Sequence, residues 1–183
     1  MKISLFKKNK NIKLIGFLLV LGFFLYYITS QSTKNYNMCK QKYALCTSAR
    51  CFPNPNNYNE TICSCDIENG HSISTVPCDQ LKPYKKDGVD YIFSTFSPIQ
   101  GKQGKKVLTC GKEYPWSDCL NKKCEIDPLN PNKAVCACQL VKGNQDWTTY
   151  GGNSNPKNCV NNYLSGSIAS NHSVIIDFWN KNK

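Results

Sequence analysis

Apolar positions run without interruption in only one place, Leu14 to Ile28 (LIGFLLVLGFFLYYI), and five lysines (Lys2, Lys7, Lys8, Lys10, Lys13) with no acid precede it. A basic flank before an apolar run directs export, and the positive-inside rule keeps the lysines in the cytoplasm and sends the rest of the chain outward. Beyond residue 30 the pattern shortens. Met38 to Ala49 places Cys39, Tyr43 and Cys46 at i, i+4 and i+7, which predicts a short helix. The stretches around Cys51 to Ile67 and Cys124 to Val141 alternate as strands about turn formers such as Asp127-Pro128 and Asn130-Pro131-Asn132. Lys86-Asp87-Gly88 signals a tight turn, Tyr91 to Phe96 (YIFSTF) a strand, and Ser173 to Trp179 (SVIIDFW) a strand or short helix packed on the body.

The cysteines give these segments a plan. They fall at Cys39, Cys46, Cys51, Cys63, Cys65 and Cys78, and again at Cys110, Cys119, Cys124, Cys136, Cys138 and Cys159. The central four of each set keep one offset, 73, so the frame C-x4-C-x11-C-x-C occurs twice. Pro55 and Pro128, Asn57 and Asn130, Asn59 and Asn132, and Gly70 and Gly143 share that offset, as do Tyr43 and Trp116. Six cysteines per copy allow fifteen connectivities. A turn centred near Asn130 sets Cys124 opposite Cys136, which suits a cross-strand bond. Cys138 then reaches outside the hairpin, to Cys119, Cys110 or Cys159. In the second copy Pro115 suits the first turn of a helix ending at Cys119.

The expected fold is therefore small, disulfide-rich α+β, mainly β, with two tandem helix-plus-hairpin repeats stapled by disulfides. Residues 1–30 form a signal-anchor or signal peptide, 31–78 the first cysteine repeat, 79–109 a packed connection, 110–159 the second repeat and 160–183 a C-terminal segment. The apolar run is long for a signal peptide and short for a span. Ile28 at the −3 position of the best cleavage site, and Tyr26 and Tyr27 at the outer end, favour an uncleaved anchor over residues 14–29.

Charge adds less than its total implies. The chain of 183 residues carries +11, but five of its 23 basic residues precede residue 31, which leaves 18 basic against 12 acidic groups, or +6. The remainder sits in scattered pairs such as Lys85-Lys86 and Lys122-Lys123, which are solvated faces and no nucleic-acid stripe. Twelve cysteines in an exported chain argue for oxidation, so the sulfurs are assigned to disulfides ahead of thiolate metal sites.

The string WSDCLNKKCEIDPLNPNKAVCACQLV, residues 116–141, resembles a group of uncharacterised exported cysteine-rich bacterial proteins with a W-x-D-C-L-x-K-x-C-x-x-D-P-x-x-P-x-K-A-x-C-x-C pattern, and the resemblance takes in Tyr91 to Pro98. It implies export and brings neither an activity nor site residues.

Chemistry is thinly marked. His71 and His172 are the only imidazoles, and there is no G-x-S-x-G or H-E-x-x-H. Acid pairs for glycoside cleavage could be drawn from Glu113, Asp118, Glu125 and Asp127, as from any chain with as many acids. Trp116 is expected to pack over a disulfide. Trp147, beside the glycine-rich insertion, and Tyr150 are the candidate ligand contacts. No catalytic, metal or cofactor residue is assigned. The reading is an exported, membrane-anchored binding module meeting an extracytoplasmic protein or glycan, in the periplasm or at the cell surface, or secreted if the signal is cleaved. Its alternative is a small secreted hydrolase or thiol/metal-binding protein.

Overall fold

A computed structural model describes residues 35–143, 145–151, 156–159 and 163–183. The expected anchor over residues 14–29 lies outside the described residues. Among the described residues, no helix is long and apolar enough to cross a membrane.

The elements are almost all strands: β1 (Asn37–Leu45), β2 (Arg50–Asn54), β3 (Asn57–Ser74), β4 (Tyr84–Lys86), β5 (Val89–Phe93), β6 (Lys106–Cys110), β7 (Trp116–Asp118), β8 (Lys123–Ile126), β9 (Lys133–Val141), β10 (Trp147–Gly151), β11 (Tyr163–Leu164) and β12 (Ser167–Ile168). Among the described residues the helices are α1 (Ile99–Lys102) and α2 (Ala169–Asn182), besides 3-10 turns at Cys78–Leu81 and Pro156–Cys159. The helix-plus-hairpin repeat is thus overturned. Met38 to Leu45 is strand, not helix, and Pro115 leads into β7 and starts no helix. Cys39 and Tyr43 are buried while Lys40 and Lys42 between them are not, a period of two that the i, i+4 spacing satisfies as well as a helical one. What decides between them is a partner: β1 pairs along its whole length with β3, from Asn37 opposite Ser74 to Leu45 opposite Asp66.

The offset survives as a duplicated strand plan. β1 and β2 follow one edge of β3, turning a corner at Cys46–Ala49; β7 and β8 follow one edge of β9 with a corner at Cys119–Lys122. Each corner is closed by a backbone bond, Ala49 N–H to the Cys46 carbonyl at 2.7 Å and Lys122 N–H to the Cys119 carbonyl at 3.2 Å. Ser48 and Asn121, one offset apart, take positive φ values of 61° and 59° there. At the hairpin tips the side chains of Asn54, Asn57, Asp127 and Asn130 each accept a bond from the backbone N–H two residues on. Such turns use the short polar side chain to replace a backbone acceptor.

The copies do not stand in tandem. β3 and β9 pair antiparallel with Cys63 opposite Cys136, so these two equivalent residues flank a local two-fold axis. Their sheet runs β11-β2-β3-β9-β8-β5-β4. The outer strands are exchanged: β5, which precedes the second set of cysteines, pairs with β8, and β11 at the chain's end pairs with β2. Parallel bridges from Ser94 to Ala44 and from Ser165 to Ser117 then join each exchanged segment to the corner strand on its other side. The path β1-β3-β9-β8-β5 consequently closes on itself.

Sulfur fills the interior at this axis. Cys46–Cys65, Cys51–Cys63, Cys119–Cys138 and Cys124–Cys136 are bonded, all eight residues are buried, and they form one cluster with Ala44, Ile92 and Ala134. Cys51–Cys63 and Cys124–Cys136 join directly opposite residues, with Cα atoms 4.1 and 4.3 Å apart. The outermost pairs, Cys39–Cys78 and Cys110–Cys159, complete two nested sets. Two smaller cores lie beyond. Trp116, Trp147 and Leu108 pack with Cys110 and Cys159, and Ile175 and Trp179 of α2 pack on Ile73 with Tyr36, Met38 and Phe96.

Candidate interaction surface

Strand alternation sorts the central sheet into two faces. On β3 and β9 the inward positions are Thr61, Cys63, Cys65, Ala134, Cys136 and Cys138, all buried, while Ser64, Val135 and Ala137 between them are exposed. One outward row crosses five strands from Ser64 through Val135, Glu125 and Tyr91 to Tyr84, each residue opposite the next. The row ends in an aromatic group. Tyr84 stacks on Tyr91 with ring centroids 5.1 Å apart and meets Phe93 at 6.2 Å. Lys123 places its ammonium 4.7 Å from the Tyr91 ring centroid, where the negative face of the ring attracts it.

The β4–β5 hairpin carries this group because Asp87 and Gly88, with φ of 51° and 82°, close a turn that needs two positive φ values, so the Lys86-Asp87-Gly88 signal marks it correctly. Lys85 and Asp90 add an exposed ion pair at 3.5 Å. Apolar exposure continues at the far side of the sheet with Phe52 at 68% and at the hairpin tips with Tyr58 at 88% and Leu129 at 93%. Cross-strand pairing and the disulfides beneath hold this surface in one arrangement.

The residues singled out from the sequence lie elsewhere. Trp147 is 0% exposed, stacks on Trp116 at 6.2 Å and donates its indole N–H to the Tyr114 carbonyl at 2.9 Å. It is core, so it cannot offer the exposed contact expected of it; β10 carries it inward whatever the glycines after it do. Tyr150 is also buried, lying against Gly101 and 5.8 Å from His172 ring to ring. Trp116 packs with the Cys110–Cys159 pair, as its assignment to the core requires.

Tyr150 and His172 line, with Thr47, Phe96, Thr148, Thr149, Gly166 and Ser167, a cavity of about 10 Å³, room for about one water molecule. The Thr148 hydroxyl there is buried without a protein partner. Burial holds the His172 imidazole below its usual range and pushes the Tyr150 phenol up. Among the described residues neither histidine is hydrogen-bonded to a hydroxyl or carboxylate. Asp118 and Asp127 use their carboxylates to accept backbone bonds from Leu120 and Leu129, which is turn chemistry. The cysteine triplets close enough to share a metal ion are members of the central disulfides, and no free thiol remains among the described residues.

No family model matches the chain, and neither a curated protein nor a solved structure is similar to it. The site must therefore be read from its own chemistry.

Proposed function

We propose that the chain is an exported binding module, held at a membrane by residues 14–29, whose body meets an extracytoplasmic protein or glycan through the surface built on Tyr84, Tyr91, Phe93 and Lys123. The reading also places the chain with the exported cysteine-rich bacterial proteins that its 116–141 segment resembles. The observation that carries it is the ordered aromatic group itself: three rings and a cation, partly open to solvent, on a sheet that needs none of them for its sulfur core. Aromatic rings give large contact area for few rotatable bonds, and a surface already rigid loses little entropy when it binds. Six disulfides in a small body are what the oxidising side of a membrane maintains, which agrees with export.

A photo-reactive side chain in place of Tyr84 tests the surface in the producing cells, with the same group in place of Val174 on α2 as the control. A discrete adduct is expected from position 84 only, and its sensitivity to protease or glycosidase distinguishes protein from glycan. Equal labelling from both positions, or none from either, rules the surface out as the contact. Deleting residues 14–29 reports the anchor separately: the chain should then fail to collect with membranes.

A further inference from the structure

The four central disulfides touch across the two-fold axis. The Cys46 sulfur lies 3.4 Å from that of Cys136, and the Cys119 sulfur 3.5 Å from that of Cys63. Each contact joins a corner disulfide of one copy to the hairpin disulfide of the other: Cys46–Cys65 meets Cys124–Cys136, and Cys119–Cys138 meets Cys51–Cys63. All of these sulfurs are buried in one cluster, and no carbon separates the two pairs at either contact.

We propose that these eight cysteines form an intramolecular thiol–disulfide exchange relay, in which reduction of a pair in one copy ends with one thiol in each copy and a disulfide between the copies. A dithiol oxidoreductase or a small thiol outside the cytoplasm supplies the initial two electrons and reduces Cys46–Cys65 to two thiols. The Cys46 thiol loses its proton to solvent, and the thiolate attacks the adjacent Cys136 sulfur. The Cys46–Cys136 bond forms, the Cys124–Cys136 bond breaks, and the electron pair leaves on Cys124, which takes up a proton. Sulfur oxidation is conserved overall: one disulfide and two thiols enter and leave the step, but the thiols now stand at Cys65 and Cys124. The two-fold axis gives the same step in reverse sense, with Cys119 attacking Cys63 and releasing Cys51.

Nesting gives the relay a use. Both copies pair first with last, second with fifth and third with fourth cysteine. Oxidation of neighbours as they emerge would join Cys39 to Cys46 and Cys110 to Cys119, and any such bond reaches the native pairing only through attack by a thiolate. The reaction class that undoes such a bond is disulfide isomerisation, and the stacked sulfurs offer the same exchange from within.

The experiment uses the full chain with Cys65→Ser, which leaves Cys46 without its native partner. After acid quench, alkylation and peptide mapping, the relay gives a Cys46–Cys136 peptide and alkylated Cys124, at least about tenfold above the unsubstituted chain, with a yield rate that climbs as pH rises toward the thiol pKa. Alkylation confined to Cys46 overturns the proposal. Cys138→Ser gives the matching test, with Cys51 as the released thiol. The control is Cys78→Ser, because among the described residues no sulfur contact outside its own disulfide is found for Cys39. Where a variant does not fold, limited phosphine reduction of the unsubstituted chain decides: Cys65 and Cys124 alkylated together in one molecule support the relay, and native partners alone contradict it.

Discussion

From Cys46 to Ile67 and from Cys119 to Leu140 the two copies follow one plan, while beyond those limits they part. In the first copy β1 and β3 stay paired through Asn37 and Ser74. The second keeps the same register, with Trp116 opposite Val141 and Cys110 opposite Trp147, but the described residues between, 111–115, 142, 143, 145 and 146, form no ladder, and the far ends become a separate sheet of β6, β10 and β12. Gly70, φ 143°, sits within the ladder of the first copy; its counterpart Gly143, φ 73°, sits in the opened loop of the second. Where Trp147 anchors the second copy's aromatic core, the register places Ser74 in the first. Duplication has held where the cluster of four disulfides sets the packing and has drifted where aliphatic and aromatic side chains make most of the core beside a single disulfide or none. Two bonded sulfurs and their Cα separation leave little room for substitution, whereas aliphatic and aromatic cores repack.

The sharpest break of this comparison removes one disulfide from each zone. Loop closure alone would make the outer Cys39–Cys78 bond, spanning 39 residues, worth about 1 kcal/mol more than Cys51–Cys63, spanning 12. The central pair also fills the interior on the two-fold axis, where a cavity cannot collapse. Replacing Cys51 and Cys63 by Ala should cost about 4–5 kcal/mol in denaturant unfolding, against about 2–4 for Cys39 and Cys78. The reverse order would mean that the sulfur cluster staples the chain without packing it.

Next in size is Trp147→Ala, expected to cost about 3–4 kcal/mol and to remove the near-ultraviolet signal of the Trp116–Trp147 stack while leaving the disulfide map intact. A scrambled map would show that the second copy's aromatic core guides pairing, and the zones would then be coupled.

A finer contrast lies at the axis. Thr61 donates to Ser117 at 2.7 Å, both buried, while the equivalent positions in the other copy, Ala134 and Ala44, are apolar. Ser117→Ala alone should cost about 1–2 kcal/mol by weakening the satisfaction of the Thr61 hydroxyl, whereas Thr61→Ala with Ser117→Ala should be close to neutral because neither partner is left behind. Unfolding of the two variants measures this directly.

The smallest effect is electrostatic. His172 belongs to α2 in the C-terminal segment, and its burial disfavours the charged imidazole. The unfolded chain therefore takes up the proton first, so stability is unchanged above the ordinary histidine range and falls as pH drops below about 6.5. His172→Gln should flatten that acid slope. For Tyr150 the sign is opposite: its raised phenol makes the body lose stability as pH climbs past about 10, and Tyr150→Phe should remove that loss.

Much of the sulfur plan was legible in the chain. The offset, the cross-strand Cys124–Cys136 bond and the reach of Cys138 to Cys119, one of three candidates, followed from strand period and turn residues. The helices before each hairpin did not, because Cys39, Tyr43 and their neighbours satisfy periods of both two and 3.6, and only the length of β3 provides the partner that selects strand. The exchange of β5 and β11 left one faint trace, Ser94 and Ser165, which bridge equivalent residues at an offset of 71 and not 73. The exposed aromatics were missed for a related reason. Composition favoured tryptophan as a contact, but face is set by register, and register turned Trp147 inward and Tyr84 and Tyr91 outward.

Disulfide mapping of the fully oxidised protein, by proteolysis without reduction at a pH low enough to prevent exchange, tests the sulfur-centred fold most directly. That fold requires Cys46–Cys65 and Cys51–Cys63 in one copy and Cys119–Cys138 and Cys124–Cys136 in the other, each hairpin bond nested inside its corner bond. A bond between the copies, or a Cys39–Cys46 or Cys110–Cys119 bond, in the oxidised protein would contradict it.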